Sequence, residues 1–552
     1  LGFLFSRQAL RISADSAAPT KPPVKIKMRV KVALLTIGTP RLIIAQLCAG
    51  AKASVSPTID MDYVPLETQK VVEKTYAYST WIFSRAISLV YLIAFLSLVF
   101  QAKGLWGSHG ILPIAQFKKA VEERVEPSDY IKVPGIFWLS TSDDMIEGVA
   151  ITGVVAATLA LIGFAQGWSL LLCFAMYLSL CSFGQEFMAF QWDALLLEIG
   201  FLALFVVPWN FDFSLRRAVE PHSVVRLMFY VVLFKLMFLS GVMKLWSGDE
   251  SWRDLSALSY HYLTQPLPNP LSPFVHALPE WMHQFSTAAT FAIELALPFF
   301  IFWPRARAWT AIGFFGLSIL IIFTGNFAFF NFLTLTLLLW LLPDGFWEGL
   351  MSRMPFSLNP VTAPMFPHPA TTVVMALLCS LSILWCTRLW LPDGANELMS
   401  PVLQYAQSFR VSNSYGLFAN MTKARSEIVL EGSADGQNWK EYEFKFKPGD
   451  TSRPPAIVAP FQPRLDWQLW FAALGSLREN PWVGRLMLRL FENSQDVTNL
   501  LGVNPFAEKP PKYLRAKLYA YEFADPEDIL DSGTWWRRKP LADYSPIFVA
   551  PQ

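Results

Sequence analysis

Five ionisable side chains stand inside apolar runs of this 552-residue chain: Asp193 and Glu198 in FQWDALLLEIGFLALFVVP (190–208), Lys235 and Lys244 in FKLMFLSGVMKLW (234–246), and Glu294 in FAIELALPFF (291–300). A carboxylate near the centre of a bilayer costs about 2.5–3.5 kcal/mol on insertion scales, so each acid needs something to offset it. Two kinds of chemistry are open to such a set. Paired with one another, the groups are structural and fix how helices pack. Gathered around water, they line a polar cavity open to one side of the membrane.

Spacing restricts the pairing. Asp193 and Glu198 are five residues apart, about 140° round a helix, so one partner cannot serve both. Lys235 and Lys244 are nine apart and face opposite ways. If 193–209 and 286–303 descend from the outer face and 225–246 rises to it, Glu198 lies roughly 8 Å in and Glu294 roughly 12 Å in, at about 1.5 Å per residue. Lys244 is then near the outer surface and Lys235 near mid-membrane. The expected contacts are Lys244 with Asp193 at the rim, and Lys235 with Glu294 or Glu198 deeper. Lys235 is expected to be structural, with Glu294 as its partner, and Lys244 to be reached by solvent.

A second dense region is SGDESWRDLSALSYHYLTQPLPNPLSPFVHALPEWMHQ (247–284), with Trp252, Tyr260, His261, Tyr262, His276, Trp281 and His283. The histidines lack the HExxH spacing of a zinc protease, and no Cys/His cluster suggests a metal. The aromatics suit an interfacial belt or a lip that binds a protein. In the tail, Arg464 and Asp466 precede a run with Trp467, Trp470 and Phe471 on one side of a helix. Those aromatics either pack the helix onto a sheet or form a client-binding face. No GxSxG nucleophile elbow, phosphate loop or dinucleotide fingerprint is present.

The elements that position these residues follow from composition. The chain is 53% hydrophobic and 16% charged, where a soluble domain carries about 25% charged residues. A net charge of +2 gives no field for nucleic acid. Apolar runs at 80–102, 148–165, 168–183, 193–209, 225–246, 286–303, 308–324, 326–342 and 371–391 predict a polytopic α-helical membrane bundle of about eight or nine spans over 76–392. Arg85, Arg216, Arg217, Arg226, Arg305 and Arg307 then fall on one face, which the positive-inside rule assigns to the cytoplasm. The loops 103–147 and 247–285, and everything after the last span, are expected on the other face.

Residues 1–75 are basic, and KMRVKVALLTIG has the look of a targeting segment; otherwise the segment is expected to be disordered. The tail, 393–552, reads as a soluble α+β domain rich in antiparallel sheet. Asp435-Gly436 marks a hairpin turn, Tyr442, Phe444 and Phe446 alternate with charges, and YLRAKLYAYEF (513–523) alternates likewise. RLDWQLWFAAL and PWVGRLMLRLF run at helical period between them. Asn420-Met421-Thr422 is an N-glycosylation triplet, of use only in a eukaryotic lumen.

Several strings carry a resemblance. FKLMFLSGVMKLWSGDESWRDLSALSYHYLTQPLPNP (234–270), GLWGSHGILP (104–113), FQWDALLLEIGFLALF (190–205), TGNFAFFNFLTLTLLLW (324–340), PFQPRLDWQLWFAALG (460–475), NPWVGRLMLRLF (480–491) and NPF (504–506) resemble the lipase maturation factor family, in order, over about 76–545. The resemblance implies a non-enzymatic multi-span protein of the endoplasmic reticulum, or of the inner membrane in a bacterium. It would help secreted lipases or other exported clients fold and assemble, with a lumenal tail, lipids around it and no cofactor. The membrane segment is also similar to vitamin K-dependent γ-carboxylase. That alternative implies a reduced quinone as cofactor and Lys244 as base, since a lysine following the same Gly-Val pair has that role there; Met243 stands where that family has a second lysine. A shared scaffold does not by itself carry the chemistry.

Overall fold

The first helix, α1 (Ala77–Val99), begins where two distant acids accept its free N–H groups. Asp344 takes the Ala77 and Tyr78 amides at 2.9 and 2.8 Å, and Glu220 takes the Tyr76 amide at 2.9 Å. Carboxylates there complement the positive end of the helix dipole. The structure is a computed structural model that describes residues 75–354, 357–361, 368–390 and 393–551. The expected targeting segment lies outside the described residues.

Eight further helical segments follow the apolar runs: α2 (Asp143–Leu161), α3 (Gln166–Phe183), α4 (Gln191–Ala203), α5 (Ser223–Trp246), α6 (Glu280–Phe291), α7 (Leu297–Phe300), α8 (Arg307–Thr324) and α9 (Phe330–Leu338). A π turn, Ala292–Ala296, joins α6 to α7. A 3-10 turn carries α9 on to Leu341, α10 (Asp344–Met351) leaves it at 105°, and α11 (His368–Thr387) closes the bundle. Among the described residues six helices are long and apolar enough to cross a membrane, namely α1, α2, α3, α5, α8 and α11; the bent pair formed by α9 and α10 would make a seventh. The expected eight or nine spans are therefore not confirmed. The 13 residues of α4 reach only about 20 Å, short of a hydrocarbon core of about 30 Å, and the helix over 280–300 is interrupted by its π turn.

Close approach of helices depends on small residues. Gly153 of α2 lies against the ring of Phe95 in α1, where any Cβ would collide.

After α11 comes a further helix, α12 (Asp393–Ser408), and then the tail's sheet. Its strands are β1 (Arg425–Ser433), β2 (Trp439–Glu441), β3 (Tyr513–Phe523), β4 (Trp536–Asp543) and β5 (Phe548–Val549), in the order β2-β1-β3-β4 with β5 also on β3. Every pairing in it is antiparallel. Gly436, at φ 79°, makes the turn between β1 and β2. Between β2 and β3 the chain forms α13 (Arg464–Ala472) and α14 (Pro481–Phe491). Ile428 and Leu430 of β1 and Leu514 and Ala516 of β3 belong to one continuous apolar core that also contains Phe83, Tyr91 and Trp106 of the bundle segment. Among the described residues, bundle and tail are one compact unit.

Two ends of the bundle differ in chemistry. At one, Arg85 donates towards the Ser214 and Leu215 carbonyls, Arg226 stacks on Tyr76, and Arg307 donates to the Tyr76 hydroxyl. At the other sits the tail, held to residues near 101, 187, 265 and 326.

Candidate functional site: buried ion pairs where the tail meets the bundle

Each of the three acids has a cation. Asp193, in the first turn of α4, is clamped by Arg464 from α13: Nη1 donates to Oδ2 and Nη2 to Oδ1, both at 2.9 Å. The Tyr177 hydroxyl of α3 donates to Asp193 Oδ1 at 2.5 Å, and Arg464 also donates to the Phe187 carbonyl at 2.6 Å. A forked guanidinium on a carboxylate is the strongest geometry such a pair can take.

One turn further along α4, Glu198 meets Lys235 of α5 at 2.6 Å. Its other oxygen, Oε2, accepts from the Tyr415 hydroxyl at 2.6 Å and from the Asn413 backbone and side-chain nitrogens at 3.1 Å. Lys244 donates to both oxygens of Glu294, at 2.8 and 2.7 Å, and to the Ser240 carbonyl at 3.4 Å. The π turn carries Glu294 towards α5, and Gly241 leaves room for the approach, since a Cβ there would meet Leu295 at 2.8 Å and Glu294 at 3.1 Å.

Both leading expected pairings are corrected by this geometry. Lys244 pairs with Glu294 rather than Asp193, and Lys235 pairs with Glu198 rather than Glu294. Sequence order within the bundle pointed to partners inside it, whereas Asp193 is served from 271 residues away in the tail. Nor is Lys244 reached by solvent: it is 4% exposed, Glu294 8%, and Asp193, Glu198, Lys235 and Arg464 1% or less. No open polar cavity is formed by these six groups. Lys244 Nζ is thus engaged by the two Glu294 oxygens and the Ser240 carbonyl.

Further bonds fasten the same junction. Gln101 donates to the Gln462 carbonyl at 2.8 Å and accepts from the Arg464 amide at 2.8 Å. Asn326 uses its whole amide, donating to the Pro268 and Ala456 carbonyls and accepting from the Val458 and Ala459 amides. Arg425 of β1 donates to the carbonyls of Leu263, Gln265 and Pro266 and pairs with Glu427, which Lys447 also approaches at 3.0 Å.

The residues expected to bind a client divide by burial. Trp252 is buried and donates to the Phe418 carbonyl at 3.0 Å. Arg464 and Asp466 lie within the first turn of α13 rather than before it, and both are buried. Asp466 accepts from the Phe446 and Lys447 amides, while burial pushes its carboxyl above the usual range. Trp467 meets Trp192 edge-on at 4.8 Å, and Trp470 donates to the Thr264 carbonyl at 2.9 Å. These aromatics face the bundle, so they are closed to a client. Tyr260, His261 and Tyr262 are half-buried; Trp281, 65% exposed, is the open member of the set. Burial, with Lys244 nearby, pushes the His261 imidazole down to about 4. Among the described residues no group of three or more His, Cys, Asp or Glu side chains could hold a metal ion.

Sequence reasoning missed Tyr177, Gln101, Asn413, Tyr415 and Arg425. Asn326, one of two asparagines within TGNFAFFNF, was a signal, because an amide in an apolar run needs partners. The RVSNSYG stretch (410–416) carries none, being polar within an already polar tail.

Residues 78–349 match the family model described as Lipase maturation factor transmembrane domain, and residues 411–546 the one described as Lipase maturation factor C-terminal domain. The chain is similar to lipase maturation factor 2 of Gallus gallus, 34% identical over 585 residues, with 84% of this chain and 80% of that one covered. It is similar to lipase maturation factor 1 of Homo sapiens, 33% identical over 494 residues, with 84% and 86% covered. No solved structure matches the chain.

Proposed function

We propose, since this chain belongs to the lipase maturation factor family, that it is a membrane-resident maturation factor whose clients are secreted lipases. The membrane is that of the endoplasmic reticulum in a eukaryotic host and the inner membrane in a bacterium. The tail faces the lumen or the extracytoplasmic space, and the arginine-bearing end faces the cytoplasm, as the positive-inside rule favours.

The observation that carries this reading is the seam between tail and bundle. A client-handling domain must stay at the membrane where exported chains emerge, and buried Arg464–Asp193 and Glu198–Asn413/Tyr415 contacts hold the tail there. The role needs no bond-making residue. It needs a rigid surface presented outside the membrane, from which a lipase folds and assembles.

Two measurements test it. A secreted lipase is co-expressed with the chain in cells lacking their own maturation factor. Recovered lipase activity in the medium, with the client co-purifying with the solubilised chain, is expected. A folded chain that neither binds the lipase nor raises its activity would overturn the reading. In sealed microsomes added protease should spare the tail; cleavage there would reverse the orientation.

A further inference from the structure

We propose that Asn420 is the acceptor of an N-linked oligosaccharide. The proposal rests on the eukaryotic branch of the proposed function, in which the tail is lumenal. Asn420-Met421-Thr422 has the acceptor spacing, and Asn420 is exposed in an irregular segment between α12 and β1. It lies on the tail's end of the bundle. Its neighbour Met421 is bonded through its amide to Asp249 Oδ2 at 2.6 Å, and Phe418 receives the Trp252 indole N–H, both from the loop that follows α5. The fold therefore anchors the segment on either side of Asn420 and leaves the Asn420 side chain outward.

In the transfer, the Asn420 carboxamide nitrogen bonds to C1 of an oligosaccharide carried on a lipid diphosphate. The bond between C1 and the diphosphate oxygen breaks, the diphosphate leaves with the electron pair, and the amide gives up one proton. No oxidation or reduction occurs. Met421 is buried against Trp252 and Ala257 in the folded chain, and Thr422 is half-buried. Attachment therefore precedes the seating of this segment, while the triplet is still extended.

The experiment translates the full chain into eukaryotic microsomes and follows its mobility before and after peptide:N-glycosidase. One enzyme-sensitive shift is expected, abolished by Asn420→Gln and by Thr422→Ala and kept by Thr422→Ser. A reporter variant separates acceptor from topology: Asn420→Gln with Lys440→Thr gives the exposed hairpin residue Asn438 an acceptor triplet. If the reporter shifts and the native chain does not, the Asn420 proposal is overturned while the lumenal tail stands. If neither shifts, the tail is not lumenal, and the proposal falls with the reading beneath it.

Discussion

Arg464→Met would leave Asp193 as an unpaired buried charge, at a cost of about 3–5 kcal/mol. The same reasoning applies to Lys235 and its partner. Lys235→Met is expected to lower the yield of folded, monodisperse protein after solubilisation. Adding Glu198→Gln should partly restore it, because a neutral amide can still use Tyr415 and Asn413. Adding Glu294→Gln should not; rescue by that change would contradict the pairing. Lys244→Met should also lower that yield, since Lys244 too is buried beside its acid. The half-buried His261 gives a pH dependence. Its folded value of about 4 lies below the usual 6.5, so the unfolded chain binds the proton more readily. Stability from this group is full above about pH 6.5 and is lost as pH falls towards 4. His261→Phe should flatten the fall in unfolding temperature between pH 7 and pH 5; an unchanged slope would exclude His261 as its source. Individual charges were legible in the sequence because any ion in an apolar run stands out. Their partners were not, because depth arguments rank groups only along helices already placed, and Arg464 arrives from another domain.

Helix packing supplies a prediction of its own. Gly153→Ala should destabilise the α1–α2 contact, because its Cβ meets Phe95; overpacking costs about 1–3 kcal/mol. Gly148→Ala in the same helix meets nothing within 4 Å and should not destabilise, since Ala is the better helix former. Thermal unfolding of the two variants side by side checks this, and equal loss would mean that Gly153 is not a contact point. Periodicity made most elements readable: the apolar runs are helical, the Asp435-Gly436 turn joins β1 to β2, 513–523 is β3, and α13 and α14 fall on the two helical stretches. Length was less readable. The run from 193 looked like a span, but helix α4 ends at Ala203, with Pro208 a few residues on. Pro298, just beyond the π turn at 292–296, marks an interruption of the helix but not the direction that the turn gives Glu294. The apolar face of α13 was visible, but not that it turns towards Trp192 of the bundle rather than towards a client.

At the scale of the whole molecule, the acids that interrupt α4 act as sockets for the tail. Asp193 receives Arg464, and Glu198 receives Tyr415 and Asn413 while Lys235 balances its charge. Membrane part and tail should accordingly gain and lose structure together, and the tail should not be expected to fold as an excised fragment. The most direct test is hydrogen exchange by mass spectrometry on the full-length protein and its Asp193→Asn variant. Local opening is read from amide protection, which follows cooperative units. Faster exchange is predicted in α13 (464–472) as well as in α4 (191–203), although the substitution lies in α4 alone. Exchange in α13 that stays at the native rate, with only α4 affected, would contradict the account.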